Sequence, residues 1–175
     1  RPFPAEDADA GALFPAAFGH TSALLAQRTE AELLGAPESS DPQYLLTMRL
    51  YFALAYATYQ TGRFGQFVLA ACRMLETTLA HGQCDLSPVA HVQFVTAMSV
   101  AGTPYPQCYA QGKLAMTLAE QRPDKYFRLT IYQYFSAFYQ HWREPLEASF
   151  PYLEKALGYG QEGINALSAG YCALL

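Results

Sequence analysis

The four histidines are the side chains of this chain that could act as general acids, general bases or metal ligands near neutral pH. The predicted elements place them in a lead-in segment, at a helix end, inside a helix and in a turn, at His20, His81, His91 and His141. His81 precedes a glycine at a predicted helix end, where the helix dipole favours a cation. Because the four lie on separate elements, we interpret each as a structural side chain.

The cysteines, carboxylates and arginines also lack the spacing of a catalytic or metal site. The cysteines form no CxxC pair and have no matching histidine spacing, which indicates reduced thiols rather than a disulfide framework or a zinc site: Cys72, Cys84, Cys108 and Cys172. Closely spaced glutamates occupy predicted helix starts or solvated faces, and the arginines are spread over different elements. The sequence therefore predicts no enzyme activity, no metal site and no cofactor.

Composition and charge narrow the class of protein. The chain has 175 residues, of which 51% are apolar and 15% are charged, so it can bury a core and is not disordered. Ala and Leu are common and Ile occurs only twice, which favours helix over strand. A net charge of −4 gives no reason to expect nucleic acid or an anionic membrane as partner. With no apolar run of membrane-spanning length and no signal-peptide pattern, we expect a cytoplasmic protein.

A repeated leucine pair organises these elements. The pairs lie at 75/79, 114/118 and 153/157, so that successive copies are 39 positions apart. A fixed period in this range is typical of a helical solenoid, in which each unit buries its apolar face against its neighbour. We therefore expect an all-α fold: a right-handed superhelix of antiparallel helix pairs, similar to a tetratricopeptide α-solenoid.

Turn and cap residues divide the chain into predicted elements. Pro and Gly in residues 1–20 indicate a linker or disordered lead-in, followed by a repeat domain over 21–175. Within it we expect a leading helix from Thr21 or Ser22 to Leu34, a helix opened by Asp41 and Pro42, and a partner from Arg63 to Ala80 that His81 and Gly82 cap. Further pairs are predicted at 87–101 with 105–120, and from Pro123 with a partner starting at Glu144, before an incomplete fourth pair from Glu162.

Two segments resemble known families. The segment from Leu54 to Phe64, with small Ala55 and a Gly62 turn, resembles the start of a tetratricopeptide repeat. The segment Phe138 to Leu146, with Leu153-Glu154-Lys155-Ala156 and Gly170-Tyr171-Cys172, resembles the helical array of large multidomain signalling proteins. Those proteins join a serine/threonine kinase-like domain, an AAA-type ATPase, this array, a GAF domain and a sensor histidine kinase. The resemblance implies that the chain is a piece of such a protein and is itself non-catalytic.

The expected function is protein–protein interaction and signal relay within a multidomain sensor kinase/ATPase. The alternative is a helical repeat that senses a small ligand or peptide, as in a transcription regulator. By analogy with tetratricopeptide arrays, the first helices of the pairs would line a concave face that contacts a protein or peptide partner, or flanking domains, through Arg49, Tyr56, Tyr59, His91 and Tyr134. An uncovered terminal repeat would also favour self-association.

Overall fold

The structure is a computed structural model that describes residues 2–123, 125–161 and 166–174. Within these residues the chain forms nine α-helices: α1 Asp7–Ala26, α2 Glu30–Leu34, α3 Pro42–Gln60, α4 Phe64–His81, α5 Ser87–Val100, α6 Tyr105–Glu120, α7 Lys125–Phe138, α8 Phe150–Gln161 and α9 Ala166–Leu174. Two 3-10 helices, Gln140–Trp142 and Leu146–Ser149, connect α7 to α8. Asp124 and residues 162–165, which include the predicted start of the fourth pair, lie outside the described residues.

Helices that follow one another in sequence pack together. Contacts join α3 with α4, α5 with α6, α7 with α8, and α8 with α9, while α4 also contacts α5 and α6 contacts α7. The described residues contain no strand, and one isolated bridge joins Glu38 to Gln83. The predicted all-α class and the sequential helix packing are therefore confirmed, and the right-handed solenoid stays a prediction.

Caps and turns fix most helix ends where the sequence predicts them. The Asp41 side chain accepts a hydrogen bond from the backbone N–H of Gln43 at 2.9 Å, and Pro42 occupies the first turn of α3. Gly82 ends α4 with φ of 95°, a left-handed conformation that favours glycine. The α7–α8 connection corrects the prediction, since Glu144 lies between the two 3-10 helices and α8 begins only at Phe150.

The prediction of a linker over residues 1–20 is wrong from Asp7 onwards. Those residues form the first two-thirds of α1, which contains Pro15 and packs along α4. The helix persists because Ala10, Phe14, Ala17 and Thr21, spaced by four, three and four residues, form one buried stripe against the core. This tertiary contact outweighs the local cost of proline and glycine in a helix.

The predicted leading helix from Thr21 to Leu34 is likewise two elements. Thr21 is fully buried inside α1, where its hydroxyl donates to the carbonyl of Ala17 at 2.9 Å. A new helix, α2, starts after Thr29, which forms a capping box with Glu32. This short helix contacts α6, and Leu33 packs with Leu114 and Leu118 in a small separate cluster.

The repeated leucines lie on α4, α6 and α8. Leu75, Leu114 and Leu153 are all buried. Leu75 and Leu153 belong to the main core, whereas Leu114 belongs to the small cluster with Leu33. The difference arises because α2, which carries Leu33, contacts α6, whereas α4 packs against α1. Within the described part of the chain, no helix combines the length and the apolar content needed to cross a bilayer.

Candidate functional site

A groove lined by aromatic side chains runs between α3 and α7 and has α5 as its floor. We call it the aromatic groove. Helix α3 buries Ala55 and Thr58, which leaves Phe52, Tyr56 and Tyr59 on the side that faces the groove. Phe52 meets Phe127 of α7 edge-on, with ring centroids 5.4 Å apart. This contact of two rings joins the walls of the groove.

The aromatic groove contains two adjoining pockets that share Tyr59, Tyr134 and Phe138. The first has a volume of about 510 Å³ and is lined by Phe52, Ala53, Tyr56, Tyr59, Gln60, Gln93, Tyr126, Thr130, Gln133, Tyr134, Ala137, Phe138, Tyr171 and Leu174. The second, of about 540 Å³, is lined by Tyr59, Phe64, Thr96, Ser99, Tyr105, Tyr134, Phe138, Tyr139 and Trp142. Volumes of this size are typical of pockets that hold drug-sized ligands.

Two tyrosines of the groove, Tyr134 and Tyr139, are kept neutral by their surroundings. Burial first, and then the neighbouring hydroxyls of Tyr59, Tyr171 and Tyr56, raise the pKa of Tyr134 well above the ordinary tyrosine value. The Tyr139 hydroxyl is paired with the hydroxyl of Thr96 at 2.6 Å, and burial raises its pKa as well. None of the described residues that line either pocket carries a charged side chain. The groove therefore offers rings and neutral polar groups, and no charge.

One buried polar atom in the first pocket has no partner. Gln93 lies on α5, is 2% exposed and lines the pocket, and its Oε1 makes no hydrogen bond. A buried acceptor without a partner costs about 1–3 kcal/mol of stability. By contrast, the buried Gln66 uses its side-chain amide in hydrogen bonds. Its Nε2 donates to the carbonyls of Pro4 and Ala5, each at 2.9 Å. This oxygen of Gln93 has almost no accessible surface of its own, so it lies beneath the pocket lining.

The structure brings together three of the five predicted partner-contact residues. Tyr56, Tyr59 and Tyr134 line the first pocket, with Tyr56 at 44% and Tyr59 at 38% exposed. Arg49 is exposed on α3 and does not line either pocket. These positions are compatible with partner contact, which stays a prediction.

The prediction that His91 contacts a partner is corrected by the structure, because this side chain is fully buried and does not reach the surface. Its Nδ1 lies 2.6 Å from Nε2 of Gln111, and its Nε2 has no partner. Burial, and to a smaller extent the charge of Arg122, lower the pKa of His91 to about 3. The 39-residue offset placed it on the concave face, whereas α5 is the floor helix and is enclosed by α4, α6 and α7.

The cysteines and histidines do not assemble into a metal site in the described part of the chain, where no three His, Cys, Asp or Glu side chains group together. All four cysteines are free and buried. Burial raises the pKa of Cys72 to about 12 and that of Cys172 to about 11, so that both hold their protons at neutral pH. A thiol that keeps its proton is a poor nucleophile.

Sequence reasoning missed two kinds of residue that matter here. Gln93 could have been noticed as an amide within the apolar run Val89 to Val95, where a polar side chain must find a partner.

Arg122 is buried and donates to the carbonyls of Cys84 and Leu118 and to the side chains of Gln83 and Glu38, which ties the α2–α3 loop to α6. Nothing local in the sequence indicates that second role, because its partners are up to 84 positions away.

Comparisons with protein-family models, with curated proteins and with solved structures find no match for this chain.

Proposed function

We propose that the chain is a non-catalytic helical scaffold that mediates protein–protein interaction and relays a signal within a multidomain sensor kinase/ATPase. Supporting the proposal is the packing of helices as sequential neighbours, α3 with α4 through to α8 with α9. In such an array each helix pair contacts only near neighbours, so a small change in the angle between pairs passes along the chain. A partner bound to one pair would thereby alter the domains on either side.

One observation carries the interaction part of this proposal: the outer face of α3 is apolar and exposed. Leu46 and Leu50 are 58% and 61% exposed, and the exposed Ala57 continues the same stripe at helical spacing. Arg49 is also exposed and is the only charged residue of α3. We call this surface the α3 stripe.

The occupant that fits the α3 stripe is an amphipathic helix of a protein partner. Its apolar residues would pack on Leu46 and Leu50, as helices do when they recognise one another through i, i+3, i+4 and i+7 positions. Since Arg49 stands beside the leucines, the partner helix would carry an acidic residue there. An acidic flank distinguishes this partner from a basic peptide.

The test uses the full-length protein encoded by the open reading frame that contains this segment. A photoreactive amino acid is placed at position 50 and, as a control, at position 107, which is exposed on α6. We expect position 50 to crosslink a segment with helical apolar spacing and an acid, and Arg49→Glu to reduce the yield severalfold. Crosslinks that are equal at both positions, or that Arg49→Glu leaves unchanged, would refute the proposed surface.

The relay is tested separately through phosphate incorporation from labelled ATP by the same full-length protein. We expect Leu46→Asp with Leu50→Asp to change this incorporation at least severalfold, and Gln107→Asp to leave it within twofold. If deletion of the whole segment left incorporation intact, the relay would be ruled out.

Sedimentation of the segment over a concentration series tests self-association, for which a monomer at every concentration is the contrary result.

A second candidate function is sensing of a small ligand or peptide, as in a transcription regulator. The specific observation in its favour is the aromatic groove, with adjoining pockets of about 510 and 540 Å³. A ligand that binds only the folded state raises the thermal stability by mass action. A rise in melting temperature that follows ligand concentration would support this candidate.

A further inference from the structure

We infer that the aromatic groove binds an uncharged, elongated aromatic molecule that lies across Tyr59 and Phe138 and occupies both adjoining pockets. This inference rests on the second candidate function, that the groove holds a ligand, and it names the shape and the charge of that ligand. Three observations lead to it: where the exposed rings lie, how the two pockets adjoin, and which charges line them.

Exposed aromatic surface is concentrated in the groove. In the described part of the chain eight phenylalanine, tyrosine and tryptophan side chains are exposed, and all but Phe150 line one of the two pockets. Trp142 is the most exposed of them, at 71%, and lies beside Tyr105 with ring centroids 6.2 Å apart. Contiguous exposed apolar surface marks a site of interaction. Rings that line a concave surface favour a ligand with rings of its own, which they contact in offset or edge-on arrangements.

The two pockets meet at the surface of the groove. Tyr59 of α3 lines both pockets, as do Tyr134 and Phe138 of α7. Tyr59 and Phe138 are 38% and 43% exposed, so the boundary between the pockets is open to solvent and is not a buried wall. An elongated molecule can therefore lie across these two rings with one end in each pocket. Volumes of about 510 and 540 Å³ are ample for an end of one or two rings.

The charge of the ligand follows from the lining. The described residues that line the two pockets include no Lys, Arg, His, Asp or Glu. A carboxylate, sulfonate or ammonium group would lose part of its hydration there without gaining a counter-charge, which is unfavourable in an apolar site. An uncharged ligand avoids this cost.

Three probes with a common skeleton test the shape and the charge. N-phenyl-1-naphthylamine is uncharged and has a two-ring end and a one-ring end, 1-naphthylamine lacks the phenyl end, and 8-anilino-1-naphthalenesulfonate adds a negative charge. The dissociation constant of each is measured by fluorescence titration with the wild-type chain. We expect N-phenyl-1-naphthylamine to bind at least about tenfold more tightly than 1-naphthylamine, because it buries a further phenyl group. We expect it to bind at least about fivefold more tightly than the sulfonate.

Variants that fill one pocket at a time test whether the ligand uses both. Ala137 lines only the first pocket, and the exposed Ser99 lines only the second. Ala137→Phe and Ser99→Phe should each weaken N-phenyl-1-naphthylamine at least about fivefold. At least one of the two variants should still bind 1-naphthylamine within about twofold of the wild type, which a misfolded chain would not do. Ala57→Phe, at an exposed position of α3 outside both pockets, is the matched control and should leave all three probes within about twofold.

The failures are distinguishable. If no probe binds the wild-type chain, the second candidate function fails together with the inference. If the sulfonate binds as tightly as N-phenyl-1-naphthylamine, the groove holds a ligand but the assignment of an uncharged one is wrong. If the phenyl end adds no affinity, or if only one filling variant weakens binding, the ligand occupies a single pocket and the elongated shape is wrong. Binding that neither filling variant weakens, or a loss of 1-naphthylamine from both, would place the probes elsewhere and would also overturn the inference.

Discussion

At both the α1–α4 interface and the aromatic groove, helices turn apolar faces toward one another. The two regions differ in how closely these faces pack. At the α1–α4 interface the backbones touch: a Cβ on Gly65 would lie 2.5 Å from the carbonyl oxygen of Asp7. Nε2 of Gln66, the next residue in sequence, donates hydrogen bonds to the carbonyls of Pro4 and Ala5. The groove instead keeps two pockets open and leaves Oε1 of Gln93 unpaired.

The difference shows what each surface is suited to do. A contact with no free volume and no unpaired polar atom gains the full packing and hydrogen-bonding energy and is suited to holding the fold together. A pocket lined by exposed rings forgoes part of the packing energy, which an apolar ligand can restore. The comparison predicts opposite responses to similar substitutions in the two regions.

The largest expected effect comes from Gly65→Ala. The added methyl group would overlap the backbone of Asp7 and lie 2.9 Å from the amide nitrogen of Gly11, so α1 must move away from α4. We expect the free energy of unfolding to fall by about 3 kcal/mol, measured by urea denaturation. Gly19→Ala is the matched control, because a Cβ there meets nothing within 4 Å and should stabilise α1 by about 0.5–1 kcal/mol. Equal effects would mean that the interface is not closed.

The next effect is a pH dependence centred on His91, which shares α5 with Gln93 but lines neither pocket of the aromatic groove. Its folded-state pKa of about 3 lies below the ordinary value of 6.5, so the unfolded chain binds a proton that the folded chain excludes. Stability is therefore greatest above pH 6.5 and falls as the pH drops through this value, by about 2 kcal/mol between pH 7.5 and 5.

Urea denaturation across this pH range measures the effect. His91→Asn keeps an acceptor for Gln111 but does not titrate, so its stability profile should be flatter than that of the wild type by about the same 2 kcal/mol. Parallel profiles for the two proteins would contradict the burial of a neutral His91.

Gln66→Leu should lower the free energy of unfolding by about 1–2 kcal/mol. The substitution keeps the volume but removes both hydrogen bonds to the lead-in carbonyls, which then lack their donor. Amide hydrogen exchange should also quicken at the start of α1, which is the part that these bonds hold. A gain in stability would remove the contrast between the two regions.

Gln93→Leu gives the smallest and opposite effect, a gain of about 1 kcal/mol, because it deletes an acceptor that has no partner. Thermal denaturation of Gln93→Leu and Gln66→Leu side by side compares one change in two regions. Gln60→Leu, at an exposed position, should stay within about 0.5 kcal/mol of the wild type. A loss of stability in Gln93→Leu would show that the Gln93 amide has a structural partner.

Local signals in the sequence placed most helices correctly, and they failed where contacts are distant. Asp41 with Pro42, Ser87 with Pro88, and Gly82 each mark a helix end through bonds within a few residues, which a sequence pattern captures. Helix α1 was missed because Pro15 and its glycines predict a break, while the contact that maintains it lies on α4, about 50 residues away.

The groove was predicted in part, for the same reason. The offset of 39 residues indicated that first helices of successive pairs share a face, and Tyr56, Tyr59 and Tyr134 do line one pocket. The offset does not show which helix is exposed and which is enclosed. It therefore assigned His91 a surface role, although α5 is enclosed by its neighbours. Gln93 has significance only beside a pocket, and a pocket is what side chains from several helices leave unfilled.

By itself, the sequence determined the all-α class, the short-range caps and turns, and the sequential arrangement of helices, because these depend on backbone hydrogen bonds and apolar periodicity within a few turns. Only the tertiary structure decided that α1 covers α4, that Arg122 ties three segments together, and that Gln93 lacks a partner. Those outcomes depend on which atoms from distant parts of the chain meet, and on which remain unpaired when the core is packed.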